Sequence, residues 1–165
     1  MRNVRSTAPI VPSLLDRLID DDPSNTTDLV KTPSQQMNDI KEAVRRDLEN
    51  LLNTRLRKND HLQKYAELKT SLANYGLYDF SQIAIESEDD QYLFAAKIRD
   101  IIQRFEPRFK NVQVEVVENG ENYHRTLYIK IAAVLLIEPD PIAVVYDSRV
   151  QKIDKSLHLR EQNHG

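Results

Sequence analysis

The sequence has no cysteine, no tryptophan and only three glycines among 165 residues. Without cysteine this chain has no disulfide, no thiolate nucleophile and no cysteine-ligated metal. Gly76, Gly120 and Gly165 lie too far apart to write a P-loop or a dinucleotide fingerprint, which excludes glycine-built phosphate cradles. A G-x-S-x-G nucleophile elbow is missing as well. The longest apolar run, Ile131 to Ile137, has seven residues, against about 20 for a membrane helix. Met1 to Arg5 is basic, but Pro12 and charges break up the apolar residues that follow, so no secretory signal is expected. His61, His124, His158 and His164 show no i,i+3 or i,i+4 spacing, and no metal site is expected. An excess of positive charge is also absent. The 23 Lys+Arg against 26 Asp+Glu leave a net charge of −3, with no overall pull toward nucleic acid or an anionic membrane.

What is present suits a folded domain with tails. Hydrophobic residues make up 40% of the chain and charged residues 30%. Residues 1–33 read as an arm, with four of the seven prolines and the acidic run Asp20-Asp21-Asp22. Within the arm, Leu14, Leu15, Leu18 and Ile19 fall at helical spacing behind Ser13, a natural N-cap. So short a helix needs a surface to dock on, either its own domain or a partner.

Residues 34–155 read as one domain, and 156–165 as a polar tail. Ser34, just after Pro33, can cap a long helix with the stripe Met37, Ile40, Val44, Leu48, Leu51 and Leu52. Leu62, Tyr65, Leu68 and Leu72 continue at helical spacing up to Gly76, a natural stop. Ser87 and the acids after it open another helix with the stripe Phe94, Ile98, Ile101, Ile102 and Phe105. Pro107 ends it. The period then changes to two. Val112, Val114 and Val116 alternate with polar residues, Thr126 to Ile137 reads as a central strand covered on both faces, and Ile142 to Tyr146 as a third strand. Asn119-Gly120 and Pro139-Asp140-Pro141 mark the turns. The expected fold is α+β: two to three helices packed on a C-terminal three-stranded antiparallel β-meander.

With 26 acids, a carboxylate pair at glycosidase separation arises by chance and carries no signal. Phe105-Glu106-Pro107-Arg108-Phe109 is more particular. Its charges form either an ordinary surface ion pair at a helix end, worth under about 1 kcal/mol, or a preset Glu/Arg pair offered to a partner. A partner that buries the pair makes loss of one charge cost roughly 2–5 kcal/mol of binding.

Glu106-Pro107-Arg108 at a helix end before short strands resembles the small wedge proteins of contractile-tail baseplates, and more closely the TssE family of type VI secretion baseplate subunits. Four further pieces match in order: Pro12 to Leu18 with Asp20 to Pro23 after it; Arg46-Asp47-Leu48-Glu49 with Leu51 to Arg55; Ser71 to Asp79; and Leu127 to Leu136. Tyr78 departs from the pattern, standing where that family commonly has proline. The resemblance spans about residues 10 to 155. It implies a structural protein with no catalytic, cofactor or metal site, working in a cytoplasmic baseplate at the inner membrane of a Gram-negative bacterium. Implied partners are the wedge proteins TssF and TssG and the sheath subunits TssB and TssC, with the spike close by. Neither nucleic acid nor direct membrane insertion is implied. The expected partner-binding residues are Glu106, Pro107 and Arg108, with Leu14, Leu15 and Leu18 of the arm. The family's historical lysozyme-like label raises one alternative, a peptidoglycan-hydrolysing enzyme.

Overall fold

The described α-helices start at side-chain caps. In the computed structural model, which describes residues 13–19, 23–24, 31–56, 64–78, 87–117, 126–137, 140–151 and 157–162, three α-helices each begin this way. Helix α1, Leu14–Leu18, starts at Ser13, whose hydroxyl accepts the Asp16 amide. Helix α2, Pro33–Asn53, starts at Thr32 rather than at the expected Ser34. Thr32 and Gln35 form a reciprocal capping box, and Pro33 takes the first helical position, where a missing N–H costs nothing. Helix α3, Glu88–Phe105, starts at Ser87 as expected, with Asp90 completing its box.

The predicted stripes are the core. Val44, Leu48, Leu51 and Leu52 of α2 and Phe94, Ile98, Ile101 and Ile102 of α3 are buried. Between the two helices, the expected helical stretch up to Gly76 is two 3₁₀ turns, Glu67–Thr70 and Leu72–Asn74. The side chains of Ser71 and Asn74 both donate to the Leu68 carbonyl, a local alternative to continued helix. Tyr65 and Leu72 are accordingly exposed, and Leu62 lies outside the described residues. Two short parallel strands, β1 (Arg55–Leu56) and β2 (Leu77–Tyr78), then tie this loop to the end of α2.

The sheet is an antiparallel meander of four strands, not three, in the order β3 (Phe109–Val117), β4 (Thr126–Leu135), β5 (Ile142–Gln151), β6 (Leu157–Glu161). Ile131 sits opposite Val114 on one side and Tyr146 on the other. A bulge at Asn111, the only described non-glycine residue with positive φ (54°), lets both Phe109 and Val112 face the core. One face of the sheet, with Ile129, Ile131, Leu135, Val144 and Tyr146, is buried. The other carries exposed Gln113, Glu115, Asp147 and Arg149 around half-buried Ala132 and Val134. Strand β4 is therefore central but fully covered on one face only, which corrects the two-sided expectation.

The fourth strand lies in the segment expected to be a polar tail. Leu157 and Leu159 alternate with exposed His158 and Arg160 and fill the core beside α2. Its outer edge is closed by α2 side chains. The Asn53 amide both donates to the Leu157 carbonyl (2.9 Å) and accepts the Leu157 N–H (2.8 Å). Glu49 accepts the Leu159 N–H at 2.7 Å, and Arg45 donates to the Leu159 carbonyl at 3.4 Å. Residues 45, 49 and 53 share one helix face, so α2 satisfies this edge as another strand would. Asn119-Gly120, Pro139, the Asp20–Asp22 run and residues 1–8 lie outside the described residues.

Candidate partner-binding site

Glu106 caps α3, its N–H bonding the Ile102 carbonyl at 2.8 Å. Pro107, exposed, forces the chain to turn, and Arg108 leads into β3. The turn folds the Arg108 guanidinium back on Glu106. Nε donates to Oε1 and Nη2 to Oε2, both at 2.6 Å, and the Arg108 amide adds a bond of 3.2 Å to Oε1. This two-point grip is the strongest form of the pair. It holds the carboxylate of a side chain that is only 7% exposed. The surface-pair reading of the motif therefore fails for Glu106, and its loss is not a surface event.

Arg108 also reaches α2, where Nη2 donates to Asp47 at 2.7 Å. Asp47 lies 3.7 Å from Arg46, and Arg46 in turn donates to Asp16 of α1. The result is a continuous chain of charges, Glu106–Arg108–Asp47–Arg46–Asp16, drawn from three separate stretches of sequence. Three carboxylates against two guanidiniums leave it one negative charge over. The Glu106 hydrogen bonds hold the Arg108 guanidinium firmly cationic, and the Asp16 hydrogen bond does the same for Arg46. Burial works to raise the Asp16 carboxyl, but hydrogen bonds from Ser13 and Arg46 and the Arg46 charge outweigh it, so it lies below its ordinary range.

The loop of β2 closes the same site. Tyr75 stacks edge-on against Phe105, with ring centroids 5.4 Å apart at 72°. Burial raises its phenol, and the charges of Asp47 and Glu106 add to that. Gly76 follows at φ +112°, and a Cβ there would stand 2.5 Å from the Thr54 carbonyl oxygen. The carbonyl is close because it accepts the Leu77 N–H at 2.8 Å. The arrangement of Arg46-Asp47, Tyr75-Gly76-Leu77 and Glu106-Pro107-Arg108 thus brings together three motifs that sequence reading treated separately.

Of the expected site residues, Glu106 and Arg108 meet each other directly, and the arm joins them through Asp16 and Arg46. Leu14, Leu15 and Leu18 are 78%, 60% and 82% exposed, and α1 has no buried residue. Sequence reading missed the roles of Asp16, Arg46 and Asp47. The available signal was weak: alternating charge inside the matched pieces, with nothing to pair them. Arg108 retains donors for a partner. Nη1 makes no hydrogen bond among the described residues, and the side chain is 30% exposed. Among the described residues no group of three or more His, Cys, Asp or Glu is placed to hold a metal, and no helix is long and apolar enough to cross a membrane.

The family model described as baseplate wedge protein gp25 matches residues 38–140, which run from α2 through the Glu106–Arg108 turn and β4. Comparison with curated proteins finds no significant match. The family match covers more than half of the chain and every element of the charge cluster except the arm, so the chain belongs to the baseplate wedge protein gp25 family.

Proposed function

We propose that this protein is the wedge subunit of a type VI secretion baseplate, joining TssF and TssG to the TssB–TssC sheath and helping to start sheath assembly. It works in the cytoplasm, near the spike, as a structural component and not an enzyme. Family membership supports the baseplate role, and the arm and loop motifs support the type VI assignment. The observation that carries the reading is the Arg108 cluster. It is held by Glu106 and Asp47, while Nη1 of its planar fork makes no hydrogen bond among the described residues. A carboxylate or carbonyl of a wedge partner fits that edge of the fork, and exposed Leu14, Leu15 and Leu18 sit on the arm that the same chain of charges holds.

The sheath side of the reading rests on the sheet edges. An unpaired edge strand is a template for a strand from another chain. Edge β6 is occupied by Asn53, Glu49 and Arg45. Among the described residues no strand pairs with the outer edge of β3, so β3 is the edge that suits a sheath strand.

The hydrolase alternative needs a carboxyl held above its ordinary pKa as general acid. Asp16 and Glu42 move the other way. Glu42 is lowered chiefly by its hydrogen bond from Arg45. The test is co-purification with TssF–TssG beside a peptidoglycan hydrolysis assay. Capture of the wedge proteins without hydrolysis is expected. Hydrolysis without capture would reverse the assignment.

A further inference from the structure

The arm is docked the wrong way round for a helix that merely completes the domain. An amphipathic segment settling on its own protein turns its leucines inward. Here Asp16 faces inward, its side chain only 14% exposed, and half-exposed Ile19 lines the cleft against α2, while Leu14, Leu15 and Leu18 face out. Asp16 is held from two sides, by the Ser13 hydroxyl at 2.6 Å and by the Arg46 guanidinium. Arg46 is itself fixed beside Asp47, one step from Arg108. Lys31, Asp39 and Glu42 line the cleft between α1 and α2, about 230 Å³ in volume, and Lys31 is bound to Asp39 at 2.6 Å.

We infer that the Asp16–Arg46 pair positions α1 for recognition, presenting Leu14, Leu15 and Leu18 as a ready-made apolar row to a groove on a wedge protein. A five-residue helix does not persist alone in water. A partner that binds it from the unfolded arm must order it, and that cost weakens binding. The ion pair removes part of the cost before the partner arrives. The occupant follows from continuity. The row hangs from the same charge chain as Arg108, so a wedge protein that contacts Arg108 meets the row at once. Asp16 and Arg46 are thus positioning residues for the arm. The inference rests on the proposed wedge contact, but it can fail separately.

Because the chain has no cysteine, Arg17→Cys gives a single site for a nitroxide label on the exposed side of α1. In the free subunit the label should report slow, docked motion. Asp16→Asn or Arg46→Gln should make it fast and weaken capture of purified TssF–TssG by about five- to tenfold. Asp16→Glu and Arg46→Lys should restore part of both. A fast label in the otherwise unchanged protein overturns the inference. So does a label that stays slow in Asp16→Asn and Arg46→Gln. If those substitutions free the label but leave capture intact, positioning is refuted. The wedge reading of the row then stands or falls on whether Leu14→Ser with Leu18→Ser reduces capture. A dimer in sedimentation that the double serine variant abolishes would make a second copy the occupant and overturn the inference too.

Discussion

Removing Arg108 tests the structure of the charge cluster most sharply. Glu106 is buried, and among the described residues its carboxylate bonds only to the Arg108 guanidinium and amide. Arg108→Ala leaves that carboxylate with one bond of 3.2 Å and no countercharge in contact. Stranding one partner of a fully buried pair costs about 3–5 kcal/mol. The Arg108 side chain is 30% exposed, which lets water reach part of the gap, so about 3 kcal/mol is expected. Glu106→Ala should cost less, about 2 kcal/mol, because Arg108 keeps Asp47 and its access to water. Asp47→Ala removes one bond between partners that are each about a third exposed, and should cost under about 1 kcal/mol. The assay is urea unfolding, read as a change in midpoint at constant slope. The order Arg108, Glu106, Asp47 is the prediction. An Arg108→Ala protein within about 1 kcal/mol of wild type would show that the Glu106 carboxylate is not confined, and would refute the reasoning.

Leu48 is fully buried mid-helix, and Leu48→Ala should cost about 2–5 kcal/mol in the same assay. Gly76→Ala should cost about 2–4 kcal/mol, because φ +112° and the Thr54 carbonyl at 2.5 Å leave no room for a Cβ; thermal unfolding reads it. Asn53→Ala should release the β6 edge and speed amide hydrogen exchange at Leu157, while exchange in β4 stays slow. Deleting residues 1–30 should leave the remaining domain folded, since no residue of α1 belongs to the core; far- and near-ultraviolet circular dichroism check this. Docking of α1 should also depend on pH. The Asp16 carboxyl is lowered in the folded state, so its contribution is present above the ordinary carboxylate pKa and is lost as pH falls through the lowered value. Arg46, Asp47 and Arg108 are the charged groups beside it in the network. The nitroxide on α1 should therefore become mobile only in acid.

Much of this architecture was legible because it is periodic or punctuated. The α2 and α3 stripes, the Ser87 cap and the Pro107 stop each follow from local rules. Strand β6 was not legible as a strand, because Leu157 and Leu159 are only two apolar residues among charges, and their burial depends on α2 lying above them. The cap of α2 was displaced by two residues because Pro33 can serve as the first helical residue and leave the capping to Thr32. The 3₁₀ turns were hidden behind apolar spacing that Ser71 and Asn74 override. At the site, the Glu-Pro-Arg motif was visible as a local constraint. Its partners were not. Asp47 is 61 residues from Arg108, and Asp16 is 30 from Arg46. Such pairings exist only once α2, α3 and the arm have packed. The burial of Glu106 follows from them.

The proposed function requires the Arg108 cluster and the arm joined to it to form one contact for wedge proteins. Titration of purified TssF–TssG onto the intact subunit tests it most directly, with Arg108→Lys and the Leu14→Ser, Leu18→Ser double variant measured alongside. Lysine keeps the charge but loses the two-point grip and the Nη1 edge, and the serines leave the core untouched. Tight binding by the wild type and at least about tenfold weaker binding by each variant are expected, all with folded spectra. Wild-type affinity in both folded variants, or no binding by the wild type, would contradict that requirement.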